Sequence, residues 1–206
     1  MLNYSTRNDT ILNRLKGVNK IMKDINNSLK LWLEELEGFE LTPYEKLPDI
    51  DLYMDQMITY LERQLRTFSL STLDKQITSS MINNYVKGDS IPNPVAKKYN
   101  KEHIALILQI CLLKRAINIS DIKQIMDSTY QNTDFMETYN DFAKKATQTL
   151  HEVGKETEEK LANIETNNQN ELLKLALDLS LVANANVLIA KRILSYIEIK
   201  NNLEKK

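Results

Sequence analysis

Glycine and proline occur only four times each in 206 residues, and the glycines (Gly17, Gly38, Gly88, Gly154) stand singly and far apart. A chain with so few backbone breaks folds most readily into long helices. A glycine-rich phosphate cradle needs several glycines in one loop so that backbone N–H groups can close on an anion, and no loop here offers that. Hydrophobic residues make up 42% of the chain, enough for a core. Cys111 is the only cysteine, and His103 and His151 are the only histidines. An intrachain disulfide and a thiolate zinc cluster are thereby excluded, and neither a metal nor a cofactor is expected. The start, Met1-Leu2-Asn3-Tyr4-Ser5, lacks the charged-then-apolar order of a secretory signal, so a cytoplasmic protein is expected.

Apolar residues recur every three or four positions from Ile11 through Leu15, Val18, Met22, Ile25, Leu29 and Trp32 to Leu36. That spacing predicts a helix over 9–36, capped by Asp9 and stopped by Gly38. Pro43 and Pro48 make 38–49 a non-helical, acidic connector. Shorter helices are expected over 52–65, 79–87, 101–116 and 120–126. The segment Ile91-Pro92-Asn93-Pro94-Val95-Ala96-Lys97-Lys98-Tyr99 suits a short hairpin or wing, because its prolines forbid helix. After a polar hinge over 128–133 come a helix over 134–166 and a last one over 171–201. Three regions follow: 1–49, a long helix and linker; 50–127, a compact helical domain; and 128–206, a helical hairpin expected to dimerise.

The last helix is apolar on nearly every side, through Leu172, Leu175, Leu179, Val182, Val187, Leu188, Ile193 and Ile197. Its most apolar part, Leu175 to Ala190, contains Asp178, Asn184 and Asn186, and so falls short of the ~18 uninterrupted apolar residues of a membrane span. It reads as a buried helix with no membrane partner, wrapped by a second subunit in a homodimer. The three polar residues would fix the dimer register, lining an effector pocket being the other reading.

Charge is partitioned although the net value is only -1. Acids dominate from Trp32 to Glu62. Between Lys75 and Arg115, lysines 75, 87, 97, 98, 101 and 114 and Arg115 face only Asp89 and Glu102. Within this basic block, Met81, Ile82, Tyr85 and Val86 share one face of the helix expected over 79–87. Ser79, Ser80, Asn83, Asn84 and Lys87 share the other. Asparagine can bond two edge atoms of adenine in the major groove, serine can donate or accept, and lysine meets phosphate or guanine. Thr78 is placed to cap the helix and aim its free N–H groups at a phosphate. Lys97, Lys98, Tyr99 and, more weakly, Lys101 complete a candidate DNA surface, the lysines acting as phosphate anchors.

The stretch ITSSMINNYVKGDSIPNPVAKKYNKEHIALILQICLLKRAINISDIKQIM resembles the bacterial domain-of-unknown-function family 1836. It also looks like a compacted MerR DNA-binding domain. There a helix ending in tyrosine leads into a leucine-proline turn, a wing and a helix opening Y-S-E-E-D-L. Tyr85, Ile91, Pro92 or Pro94, and Tyr99-Asn100-Lys101-Glu102-His103-Ile104 take those places. The resemblance implies an all-α, winged helix-turn-helix fold with a long-helix dimerisation body. It further implies sequence-specific binding to double-stranded DNA as a homodimer on an inverted repeat. MerR domains usually place arginine and tyrosine just before the final tyrosine, where this chain has Asn83 and Asn84.

Other candidates weigh less. His103 opens a helix and could meet phosphate, but a lone histidine is more often merely polar. Cys111, flanked by Ile110 and Leu112, reads as a core residue. Glu34, Glu35 and Glu37 point around their helix rather than toward one another. No nucleophile-base pair is present in the pattern, so a binding protein is expected rather than an enzyme. The competing reading is a helical protein-interaction module whose helix-turn-helix is only structural. A small-molecule effector is compatible with either.

Overall fold

From His103 to Ile110 every side chain of one helix is buried, and this segment is the centre around which the larger unit is built. The computed structural model describes residues 28–69, 77–131, 133–164 and 168–204. It is mostly helical: α1 (helical over 28–37), α2 (Met54–Gln64), α3 (Ser79–Lys87), α4 (Lys101–Leu113), α5 (Ile119–Tyr130), α6 (Phe135–Ala162) and α7 (Gln169–Glu204). Two short strands, β1 (Leu52–Tyr53) and β2 (Lys98–Tyr99), pair antiparallel, with Leu52 opposite Tyr99 and Tyr53 opposite Lys98. The described residues divide into two compact units, those within 40–148 and 181–204, and those within 28–39 and 149–180.

In the larger unit α4 packs against α2, α5 and β2. Its apolar run Ile104-Ala105-Leu106-Ile107-Leu108 can sit on all sides of a helix because neighbours cover all sides. Met57 and Leu61 of α2, Ile82 of α3 and Ile122 of α5 are fully buried, each on the inward stripe of its helix. Asn100 caps α4 reciprocally: its side chain accepts from the His103 N–H at 3.1 Å, and its own N–H donates to His103 Nδ1 at 3.2 Å. Histidine here fills the place that glutamate or glutamine holds in a capping box.

The acidic connector is clamped rather than loose. Leu41 and Leu47 are buried, and Tyr44 to Lys46 form one 3₁₀ turn. The turn is held to α6 by Asn140 Oδ1, which accepts from the Tyr44 N–H at 2.8 Å. Nearby, Thr147 Oγ1 accepts from the Leu41 N–H at 3.1 Å, and the Tyr139 hydroxyl donates to Thr42 O at 3.0 Å. In the smaller unit, Leu33, Leu36 and Phe39 are buried and His151 Nε2 bonds Phe39 O at 2.7 Å.

Several expectations change. Residues 52–53 are strand, not the first turn of a helix, because they pair with β2. The hinge expected over 128–133 is helical as far as Tyr130, α5 being longer than its apolar stripe suggested. The first helix is seen from residue 28 onward, so Asp9 and the rest of its expected course lie outside the described residues. The last helix is not buried within the chain. In its most apolar eighteen residues, of mean hydropathy 1.6, none is buried, and by length and composition α7 could cross a membrane. The requirement of an uninterrupted apolar run was too strict, since mean hydropathy tolerates a few polar residues.

Candidate nucleic-acid interface

Thr78 has extended backbone angles, and its hydroxyl accepts from the Met81 N–H, so α3 begins where the sequence placed it. Ile82 and Tyr85 bury one side. Ser79, Ser80, Asn83, Asn84 and Lys87 are exposed on the other, with no carboxylate among the helix residues. The end of α3 is a Schellman turn. The Ser90 N–H reaches back to Tyr85 O at 2.8 Å and the Asp89 N–H to Val86 O at 3.1 Å. Asp89 takes the left-handed position, at φ 51. Gly88 precedes it because a Cβ there would come within 3.2 Å of Asn84 O.

The following loop buries Ile91 and turns back at Val95–Lys98, where the Lys98 N–H donates to Val95 O at 2.9 Å. Both central residues have positive φ, Ala96 at 49 and Lys97 at 62. That is the signature of a type I′ hairpin turn, which asparagine and glycine favour and alanine and lysine do not. Ala96→Asn is therefore expected to raise the unfolding free energy by about 1 kcal/mol, because asparagine tolerates the left-handed region better. A urea titration reads this as a higher midpoint at unchanged slope. An equal or lower midpoint would refute the strain.

Of the lysines expected on this surface, Lys97 is exposed. Lys98 is half-buried, its ammonium 5.2 Å from the centroid of the Tyr53 ring. Two residues leave the candidate surface. Tyr99 is only 3% exposed, packed edge-on against His103 at 5.5 Å. Period-two alternation in β2 sends it inward while its neighbour Lys98 points out. Lys101 turns toward the connector, pairing with Asp49 at 3.3 Å, donating to Glu45 O at 3.4 Å and lying over the Tyr44 ring. Thr78 spends its hydroxyl acceptor on the cap.

Three residues were not singled out from sequence. Tyr53, 54% exposed, stands beside Lys98. Lys114 donates to the Tyr85 hydroxyl at 3.1 Å and lies over its ring at 5.1 Å. Lys123 donates to Gly88 O at 3.3 Å, at the end of α3. The first depends on a two-residue strand pairing, too short to leave a pattern. The other two are long-range contacts that no local periodicity encodes. Cys111 is half-buried, and burial pushes its thiol up to about 12, which keeps it protonated.

His103 is 4% exposed and does not face solvent as a phosphate contact would. Its Nε2 is buried with no hydrogen-bond partner among the described residues. Desolvation lowers its pKa, while the nearby carbonyls of Pro92 and Asn93 and the carboxylates of Glu102 and Asp51 act in the opposite sense. The folded state thus prefers neutral His103, whereas the unfolded chain takes up a proton near pH ~6.5. The associated stability is present above that pH and is lost as pH falls below it toward the folded-state pKa. Denaturant titrations between pH 7.5 and 5 on the order of half a unit apart should show a decline that His103→Gln flattens. Parallel declines in both proteins would disprove the assignment.

An open groove of about 490 Å³ lies between the base of the wing loop and α5, lined by Ser90, Ile91, Pro92, Leu106, Met126 and Tyr130 among others. Asp178, Asn184 and Asn186 are exposed on α7. Among the described residues no three His, Cys, Asp or Glu side chains gather in a metal-holding cluster.

A family profile described as a domain of unknown function (DUF1836) matches residues 42–146. The chain belongs to the DUF1836 family. The matched stretch of this DUF1836 chain begins in the clamped connector, takes in α2 to α5 and the wing loop, and ends within α6, nearly all of the continuous 40–148 segment of the larger unit. Neither a curated protein nor a solved structure gives a significant match.

Proposed function

We propose that this DUF1836 protein is a cytoplasmic, sequence-specific DNA-binding regulator of transcription, built around a MerR-like winged helix-turn-helix and acting as a homodimer on an inverted repeat. The observation that carries the reading is the outer face of α3. It consists of small, neutral or basic groups, Ser79, Ser80, Asn83, Asn84 and Lys87, all exposed and with no acid in the helix. The order strand, helix, helix, hairpin strand, helix, helix around it supports the same reading, as does the exposed Lys97 at the tip of the turn. In this scheme α3 enters the major groove, where Asn83 and Asn84 read base edges, and Lys97 and Lys98 set register on the phosphates. Two heads would contact half-sites one helical turn, about 34 Å, or a multiple apart.

The alternative, a helical protein-interaction module with a purely structural helix-turn-helix, draws support from the exposed apolar length of α7. A DNA interface does not require that helix. The two readings separate in one experiment: capture of sheared genomic DNA by the purified protein, followed by sequencing. A regulator enriches a few fragments that share an inverted repeat. Uniform background at moderate salt would overturn the DNA reading and leave the interaction module.

A further inference from the structure

The outward side of α7 is apolar along its middle, where the two charges that flank this stretch, Asp178 and Arg192, stand at equal distances from Ala185; nearer the start of the helix Glu171 and Lys174 pair with each other. Leu181, Val182, Leu188 and Ile189 are between 59% and 68% exposed. They lie to either side of a line through Asp178, Ala185 and Arg192, which stand seven residues apart and so fall on nearly one edge of the helix. Leu179, Val187 and Leu194 lie on the opposite side and are half-buried, and there Gln124 of α5 donates to Leu194 O at 3.2 Å. The inward side is thus engaged by the chain itself, and the outward side is open. Among the described residues Asp178 has no ion-pair partner, and Arg192 only lies over the Tyr196 ring at 5.7 Å.

We propose that the outward face of α7 binds the same face of a second copy of this chain, antiparallel, about a twofold axis through Ala185. In that register Ala185 meets Ala185 of the second copy, and its small side chain lets the helices approach. Asp178 pairs with Arg192 of the second copy, and Arg192 with its Asp178, so one contact is made twice by symmetry. Leu181 packs against Leu188 of the second copy on one side of the line through Ala185, and Val182 against its Ile189 on the other. In a parallel arrangement Asp178 would face Asp178 and Arg192 would face Arg192, leaving two pairs of like charges against one another. A lipid bilayer would cover the apolar side chains but would leave both charges without partners in the middle of the covered face. Self-pairing satisfies the apolar surface and the charges together. A 36-residue helix, about 54 Å long at 1.5 Å per residue, offers room for such a contact. The helix lies outside the family-matched residues 42–146, and the proposal does not depend on DNA binding.

The test is sedimentation equilibrium of the full chain without DNA, on wild type, Asp178→Arg, Arg192→Asp and the double reversal. Wild type is expected at twice the 23.9 kDa chain mass. Each single reversal sets two like-charged contacts across the axis and should weaken dimerisation at least about 100-fold, and the double reversal should restore it. Circular dichroism confirms that these exposed substitutions leave the helix content unchanged. A wild-type monomer that floats with phosphatidylcholine and phosphatidylglycerol vesicles would overturn the proposal in favour of a bilayer. A wild-type monomer that ignores vesicles would overturn it outright, as would a dimer indifferent to both single reversals.

Discussion

Replacing Asn83, Asn84 and Lys87 together by alanine is expected to lower affinity for the captured operator at least about 100-fold, since each good base contact contributes about 1–3 kcal/mol. Stability should change by less than about 0.5 kcal/mol per site, because surface substitutions away from caps and cores are nearly neutral. All three residues are exposed, while Ile82 and Tyr85, which anchor α3, are untouched. Lys97→Ala provides the contrast. A phosphate anchor lost there should weaken binding to all sequences alike and reduce the steepness of the salt dependence by roughly one ion. Fluorescence anisotropy on the operator and on a scrambled duplex, at several salt concentrations, reads both effects. If the triple variant binds like wild type, α3 does not read the groove.

The second large effect belongs to Tyr139. Its side chain is fully buried in α6, its hydroxyl is bonded to Thr42 O in the connector, and its ring stands edge-on to Tyr44 at 6.1 Å. Tyr139→Ala is expected to cost about 3–5 kcal/mol, through lost apolar burial and an unfilled cavity. Tyr139→Phe keeps the ring and removes only the donor, so it should cost about 1–2 kcal/mol, largely from leaving the Thr42 carbonyl without that partner. Comparison of the two by denaturant unfolding separates packing from hydrogen bonding. Near-equal losses would show that the hydroxyl, not the ring, holds the connector to α6. Thr42 lies within the family-matched stretch as well, so the clamp joins two parts of the same domain.

Sequence alone determined the local events. Thr78 has the side chain that caps α3, and Gly88 with Asp89 permits the turn that ends it, so α3 begins and ends where periodicity and capping placed it. The exclusion of helix between Ile91 and Tyr99 also followed from local chemistry, because the prolines at 92 and 94 cannot continue a hydrogen-bonded helix. What pattern could not decide was direction and cover. Tyr99 and Lys101 sit in a basic block and read as surface groups. The pairing of Leu52 with Tyr99 turns that ring inward, and Asp49, fifty-two positions away in the chain, draws Lys101 toward the connector.

The same limit explains the two apolar helices. Both α4 and α7 carry apolar residues around much of their circumference, and periodicity gives them nearly the same description. In α4 the neighbours α2, α5 and β2 converge and bury eight residues in succession, whereas in α7 the chain covers one side and leaves the other open. Hydrophobicity is a property of the segment and can be read from it. Burial is a property of what the rest of the chain brings alongside, and it is decided only when the tertiary contacts form.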